Sequence, residues 1–237
     1  MTAAKRDRRI QWVAGSAVVL ALLFAGVATV ASARDDGADP AAARAPRTPA
    51  VDSADAGFAR DMAIHHQQAV EMSFIVRDRT ENEEVRRLAY DIANTQANQR
   101  GMMLGWLDLW ELPKAAAGQG PMAWMAAGHE GHTRDGMDGM ASMGAGYRAH
   151  DGSLMPGMTT RSELNRLRGA SGRKAETLYL QLMTDHHRGG IDMARGCARL
   201  CAVKVEKRLA QGMVEAQQSE LDTMARMLAA RGAGPRS

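Results

Sequence analysis

Apolar residues recur three and four positions apart along most of this chain, and no stretch alternates apolar with polar for long. The spacing predicts helices over residues 57–79, 82–112, 173–199 and 203–231, and no strand. Pro113 ends the second helix, because proline has no N–H for the next helical hydrogen bond. Thr160 or Ser162 could cap a further short helix with Glu163 in its first turn. Residues 114–160 are rich in Gly, Met and His and read as a long, loosely ordered connection.

The helical pattern occurs twice. A shift of 121 residues places Phe58 on Tyr179, Met62 on Met183, His65-His66 on His186-His187, Ala69 on Gly190, and Met72 on Met193. Without a gap, the same shift matches the following helices: Leu88-Ala89 with Leu209-Ala210, Gln96 with Gln217, Met103 with Met224, and Leu107 with Leu228. One helical hairpin is thus present in two copies. A hairpin alone cannot bury its apolar stripe, so the two copies are expected to form an all-α four-helix bundle.

The N-terminus adds a separate element. Ile10 to Ala33 carries no charge over 24 residues, which as a helix would be about 36 Å long and enough to cross a bilayer. Ala31-Ser32-Ala33 resembles a cleavage site, so residues 1–33 read as either a signal anchor or a signal peptide. Both export the remainder. Residues 34–56, with Pro40, Pro46 and Pro49, read as a flexible tether. Residues 57–233 hold the bundle, with hairpins at 57–112 and 161–233 joined by 113–160.

Charge narrows the partners. The formal net charge of +3 is already present in Lys5, Arg6, Arg8 and Arg9 against Asp7, so the chain beyond is neutral. No basic face for nucleic acid follows. Aromatic residues are only 4%, whereas methionines number 17, so aliphatic side chains and methionine must build most of the core, and a role for thioethers beyond packing is open.

On a helical wheel Met62, His65, His66, Ala69 and Met72 fall within about 120° of one face. Met183, His186, His187, Gly190 and Met193 repeat that wheel. Gln96, Gln99 and Met103 share a face of one following helix, and Gln217, Glu220 and Met224 of the other. His65 and His66 differ by about 100°, so one member of each pair is expected to point fully inward. Thioethers mixed with imidazoles suit a soft ion, Cu(I) above all. Scarce carboxylates on these faces argue against Ca²⁺, Mg²⁺ or a di-iron centre. The competing reading is a polar core layer with no metal.

Two further features carry candidate chemistry. The connection holds Met122, Met125, Met137, Met140, Met143, Met155 and Met158 with His129, His132 and His150. It reads as a weak, multi-site ion collector or as a flexible linker that happens to be Met-rich. Cys197 and Cys201 are the only cysteines, and in an exported protein they are expected to form a disulfide that closes a helix end. A thiolate metal pair is the alternative.

Met62-Ala-Ile-His-His-Gln-Gln-Ala-Val-Glu-Met72 and Met183-Thr-Asp-His-His-Arg-Gly-Gly-Ile-Asp-Met193 resemble the repeated signature of the family named domain of unknown function 305. Met155-Pro-Gly-Met158 and Gln217-x-x-Glu220-x-x-x-Met224 are similar to further parts of its pattern. The resemblance spans about residues 57–231 and implies a ferritin-like bundle, usually exported, with copper binding and copper tolerance among some relatives. It implies Met62, His65, His66, Met72, Met183, His186, His187 and Met193 as metal residues. Gln99 departs from the pattern where the second copy has Glu220, as does Gly190 where alanine is usual.

The sequence therefore reads as an exported, membrane-tethered protein that sequesters or transfers Cu(I), with a copper-handling partner or a second copy as possible company. The alternatives are a ferritin-like metal-dependent redox enzyme, which the scarcity of inward carboxylates disfavours, and a structural or interaction bundle without metal.

Overall fold

A computed structural model describes residues 48–127 and 147–236. The apolar N-terminal segment lies outside them, as do His129, His132, Met137, Met140 and Met143. The described residues are helical, with a single isolated bridge between His150 and Ser153 and no strand. No helix among them is long and apolar enough to cross a membrane.

Four long helices carry the structure: α1 (Ala54–Arg77), α2 (Glu83–Leu109), α5 (Gly172–Leu200) and α6 (Lys204–Ala229). Two short ones, α3 (Ala123–Ala127) and α4 (Arg161–Gly169), lie between the pairs. Helix α1 packs on α2, α5 on α6, and α1 on α5. Local chemistry sets the ends. Ser53 caps α1 and Asn82 caps α2 through side-chain oxygens. Thr160 caps α4 in a complete capping box with Glu163. Helix α6 has no side-chain cap of its own. Asp55 of α1 supplies one, its carboxylate accepting from the Ala202 and Val203 amides at 2.7–3.1 Å.

The first helix starts at Ala54, so Ala54, Asp55 and Ala56, assigned above to the tether, form its first turn. Asp55 and Ala56 are buried there, because the capping carboxylate needs a partner helix end.

The connection also departs from expectation in its described parts. Asp61 of α1 accepts hydrogen bonds from the Met122 amide at 2.7 Å and the Trp124 indole at 2.9 Å. Arg60 donates to the Pro113 carbonyl at 2.8 Å. Trp124 fills the space left by Gly57, where a Cβ would meet its side chain at 2.5 Å, and packs edge-on against Phe58. Met122, Met125 and Met155 are buried in the core. These three methionines are packed in the core, so this part of the connection is ordered rather than loose. Tertiary hydrogen bonds to α1, invisible to helical periodicity, account for the difference.

Buried apolar residues form two clusters. One holds Met62, Met103, Met193 and Met213 with Phe58, Trp124, Met125, Met155, Cys197 and Cys201. The other holds Met72, Met183, Met224 and Met227 with Tyr179, Ile92 and Leu182. Met62 thus shares a cluster with Met193, and Met72 with Met183. Helices α1 and α5 must therefore cross in opposite directions, with the histidines of each between its two methionines.

Candidate metal centre

Each histidine pair stands midway along its helix, three residues after one methionine and six before the next. Burial at that height is complete. His65, His66, His186 and His187 are all 0% exposed, so both members of each pair point inward, contrary to the expectation from the wheel. The pairs divide the space instead. His65 and His186 meet across the α1–α5 crossing with ring centroids 3.8 Å apart. His66 and His187 turn towards the second helix of their own hairpin.

The proton positions follow from the partners. A carboxylate, an amide oxygen and a carbonyl can only accept. His187 Nε2 therefore donates to Glu220 Oε2 at 2.7 Å, and His66 Nε2 to Gln99 Oε1 at 2.8 Å. His186 Nε2 donates to the His65 carbonyl at 3.1 Å. In all three rings Nδ1 is left buried without a partner, and the polar group that faces His65 is the Pro156 carbonyl of the closing turn. The Oε1 atoms of Gln96 and Gln217, at matching positions, are also buried and unpartnered.

The layer is uncharged where its titration is evident. Burial, and then the neighbouring imidazoles, hold His65 and His186 well below the ordinary histidine range. Burial takes His66 down to about 3, against the Gln99 hydrogen bond and with help from His187. Neutral rings present lone pairs, which is the form that binds metals.

A turn from the connection closes over the layer. In Met155-Pro-Gly-Met158, Gly157 adopts φ +80°, a conformation that favours glycine. A Cβ at Gly189 of α5 would overlap the Pro156 carbonyl oxygen, so the turn and helix touch backbone to backbone. Gln68 of α1 grips the next residue from both sides. It donates to the Thr159 carbonyl at 2.8 Å and accepts from the Thr159 amide at 2.6 Å. The Thr159 hydroxyl reaches the Met72 sulfur at 3.2 Å. One register further along α5, a Cβ at Gly190 would meet Gln217 Oε1 at 2.5 Å, so the glycine admits that amide.

The structure thus brings all eight candidate residues into one buried region, with imidazoles central and thioethers in the clusters on either side. Among the described residues no three imidazoles converge as a compact ligand set. Met158 is half-buried against the first cluster, and His150 is exposed at a distance in sequence from the layer. Sequence reasoning placed Gln99 and Glu220 on inward faces but missed their role as acceptors from histidine. Their spacing of 33 residues from His66 and His187 was the available signal. Gln68 and Thr159 gave none.

The profile of the domain of unknown function DUF305 matches residues 55–228. A DUF305 protein of Streptomyces coelicolor, provisionally described as secreted, is 57% identical over 79% of this chain and 99% of its own, with a TM-score of 0.67. A DUF305 fragment from Deinococcus radiodurans is 26% identical, covers 75% of this chain and 96% of its own, and has a TM-score of 0.55. CopM in its Cu(I)-bound form shares the fold at 19% identity, over 74% of this chain and 96% of its own, with a TM-score of 0.52. No curated protein matches the chain.

Proposed function

The chain belongs to the DUF305 family, and from that footing we propose that it is an exported copper-binding protein that sequesters or passes on Cu(I). The carrying observation is the tautomer pattern: three buried imidazoles have their Nε2 protons committed and their Nδ1 lone pairs unpartnered. Metal-bound histidines ordinarily donate their other N–H to a carboxylate, amide or carbonyl in this manner. Unpaired buried nitrogen otherwise costs about 1–3 kcal/mol each. A soft cation entering the layer would satisfy these atoms and the adjoining thioethers together.

The proposed ligands are Met62, His65, His66, Met72, Met183, His186, His187 and Met193, used as mixed imidazole–thioether sets. The architecture is read as a ferritin-like four-helix bundle of two repeated hairpins. That CopM has a Cu(I)-bound form supports the choice of metal. The apolar N-terminal segment supports export, with an uncleaved membrane tether or a cleaved signal as its two forms. The inward carboxylate of Glu220 is engaged by His187, which leaves none bridging the layer and disfavours di-iron-type redox chemistry.

Cu(I) titration against a competing chelator under reducing conditions tests the reading. Stoichiometric uptake is expected, and its loss in His65→Ala with His186→Ala. Absence of uptake by the parent protein rejects the proposal. Retention of uptake by a folded double variant rejects the assigned ligands.

A further inference from the structure

A second set of donor atoms converges at one end of α5. The helix stops at Leu200, Cys201 is its cap, and a Cys197–Cys201 disulfide closes the turn. Glu206, in the first turn of α6, directs its carboxyl to the same place. The two sulfurs and a carboxyl oxygen all lie within 4.8 Å of one another. Cys197 and Glu206 are fully buried and Cys201 is 2% exposed. Neither Glu206 oxygen accepts a hydrogen bond from a backbone amide.

Buried acids are normally hydrogen-bonded or ion-paired. Among the described residues the charged neighbour of Glu206 is Asp55, with which the Glu206 carboxyl shares a hydrogen bond and which is also occupied with the Ala202 and Val203 amides. Burial and the Asp55 charge push Glu206 up to about 9, so it is held as the neutral acid.

We infer that Cys197, Cys201 and Glu206 form a second metal site when the disulfide is reduced, suited to a thiophilic divalent ion of the zinc class. Two thiolates and a carboxylate are three ligands of the types zinc takes, with a fourth position for water. The hard oxygen donor distinguishes this set from the imidazole–thioether layer and favours a divalent ion over Cu(I). Asp55 sits behind Glu206 as an anchored neighbour on the start of α6. The redox step is thiol–disulfide exchange: an external dithiol gives two electrons and two protons to the Cys197–Cys201 bond and leaves as its own disulfide. Binding the ion then releases the two thiol protons and the Glu206 proton.

Cobalt(II) titration of the full chain tests this site, with Co²⁺ as a coloured stand-in for zinc. A phosphine reductant suits the assay, since it becomes a phosphine oxide with oxygen from water and leaves no competing thiol. The reduced chain is expected to bind one Co²⁺ with sulfur-to-cobalt charge-transfer absorption, and the oxidised chain to show none. Glu206→Gln should weaken that binding by at least about tenfold, the lower end of the effect of losing even an outer-shell partner. Cys197→Ser with Cys201→Ser should abolish it; the oxidised parent serves as the folded control should that variant unfold. His65→Ala with His186→Ala should leave the absorption intact, which separates this site from the copper layer. A reduced, helical chain without the absorption overturns the inference, as does a Glu206→Gln chain that binds as tightly as the parent.

Discussion

His186 donates its Nε2 proton to the backbone carbonyl of His65, the residue 121 positions earlier that occupies the corresponding place in the other half of the sequence. The two rings lie against each other at 3.8 Å between centroids. This contact fixes the height at which α1 and α5 cross. It also leaves His186 Nδ1 buried without a partner.

Replacing sulfur without changing volume separates ligation from packing. Met72→Leu with Met183→Leu, or Met62→Leu with Met193→Leu, should lower stability by less than about 1.5 kcal/mol per residue. Cu(I) affinity should fall in each pair. Chelator competition and urea unfolding on the same samples give the two readouts.

The acceptors behind the outer histidines are expected to orient them. Gln99→Ala and Glu220→Ala should each weaken Cu(I) binding by about 10- to 100-fold. Glu220→Gln should retain most affinity, because an amide oxygen already performs this task for His66. Equal losses for Glu220→Ala and Glu220→Gln would show that the charge, and not the acceptor, matters.

Stability of the metal-free protein should decline in acid through the histidines. His66 titrates at about 3 in the fold, and His65 and His186 also lie well below the ordinary value. Unfolded histidine binds its proton near about 6.5, so below that pH the unfolded state holds more protons and is favoured. The loss should begin near pH 6.5 and continue towards 3, approaching about 1.4 kcal/mol per pH unit for each histidine. Glu206 acts oppositely. Its folded value of about 9 exceeds the unfolded one, so its contribution is full in acid and is lost as pH rises towards 9. Urea midpoints across this range, with Glu206→Gln as comparison, resolve the two arms: the variant should lose the alkaline decline and keep the acid one.

Two adjacent glycines should respond differently to a methyl group. Gly189→Ala drives Cβ into the Pro156 carbonyl, a backbone atom of the closing turn. Gly190→Ala meets the end of the Gln217 side chain, which can swing aside. Thermal melts should show Gly189→Ala destabilised by about 1–3 kcal/mol and Gly190→Ala by less.

Much of this arrangement was legible from spacing. The helix expected over 173–199 runs Gly172–Leu200, and that over 203–231 runs Lys204–Ala229. Thr160 caps the short helix with Glu163 three residues on. The shared face of Met62, His65, His66 and Met72 was visible because a helix repeats every 3.6 residues. What spacing lacked was contact between elements distant in sequence. Burial of Met122 and Met125 depends on Asp61, Gly57 and Trp124, and the seating of Thr159 on Gln68. The inward position of all four histidines also escaped the wheel. A helix packed against two neighbours buries a wider arc than one packed against a single partner, and α1 meets both α2 and α5.

The sulfur groups on either side of the histidines each draw on both ends of the chain, Met62 with Met193 and Met72 with Met183. A nascent polypeptide therefore lacks both sulfur clusters until its final third docks onto its first. If the layer holds copper as proposed, the assembled site is loaded only after the tertiary structure is complete.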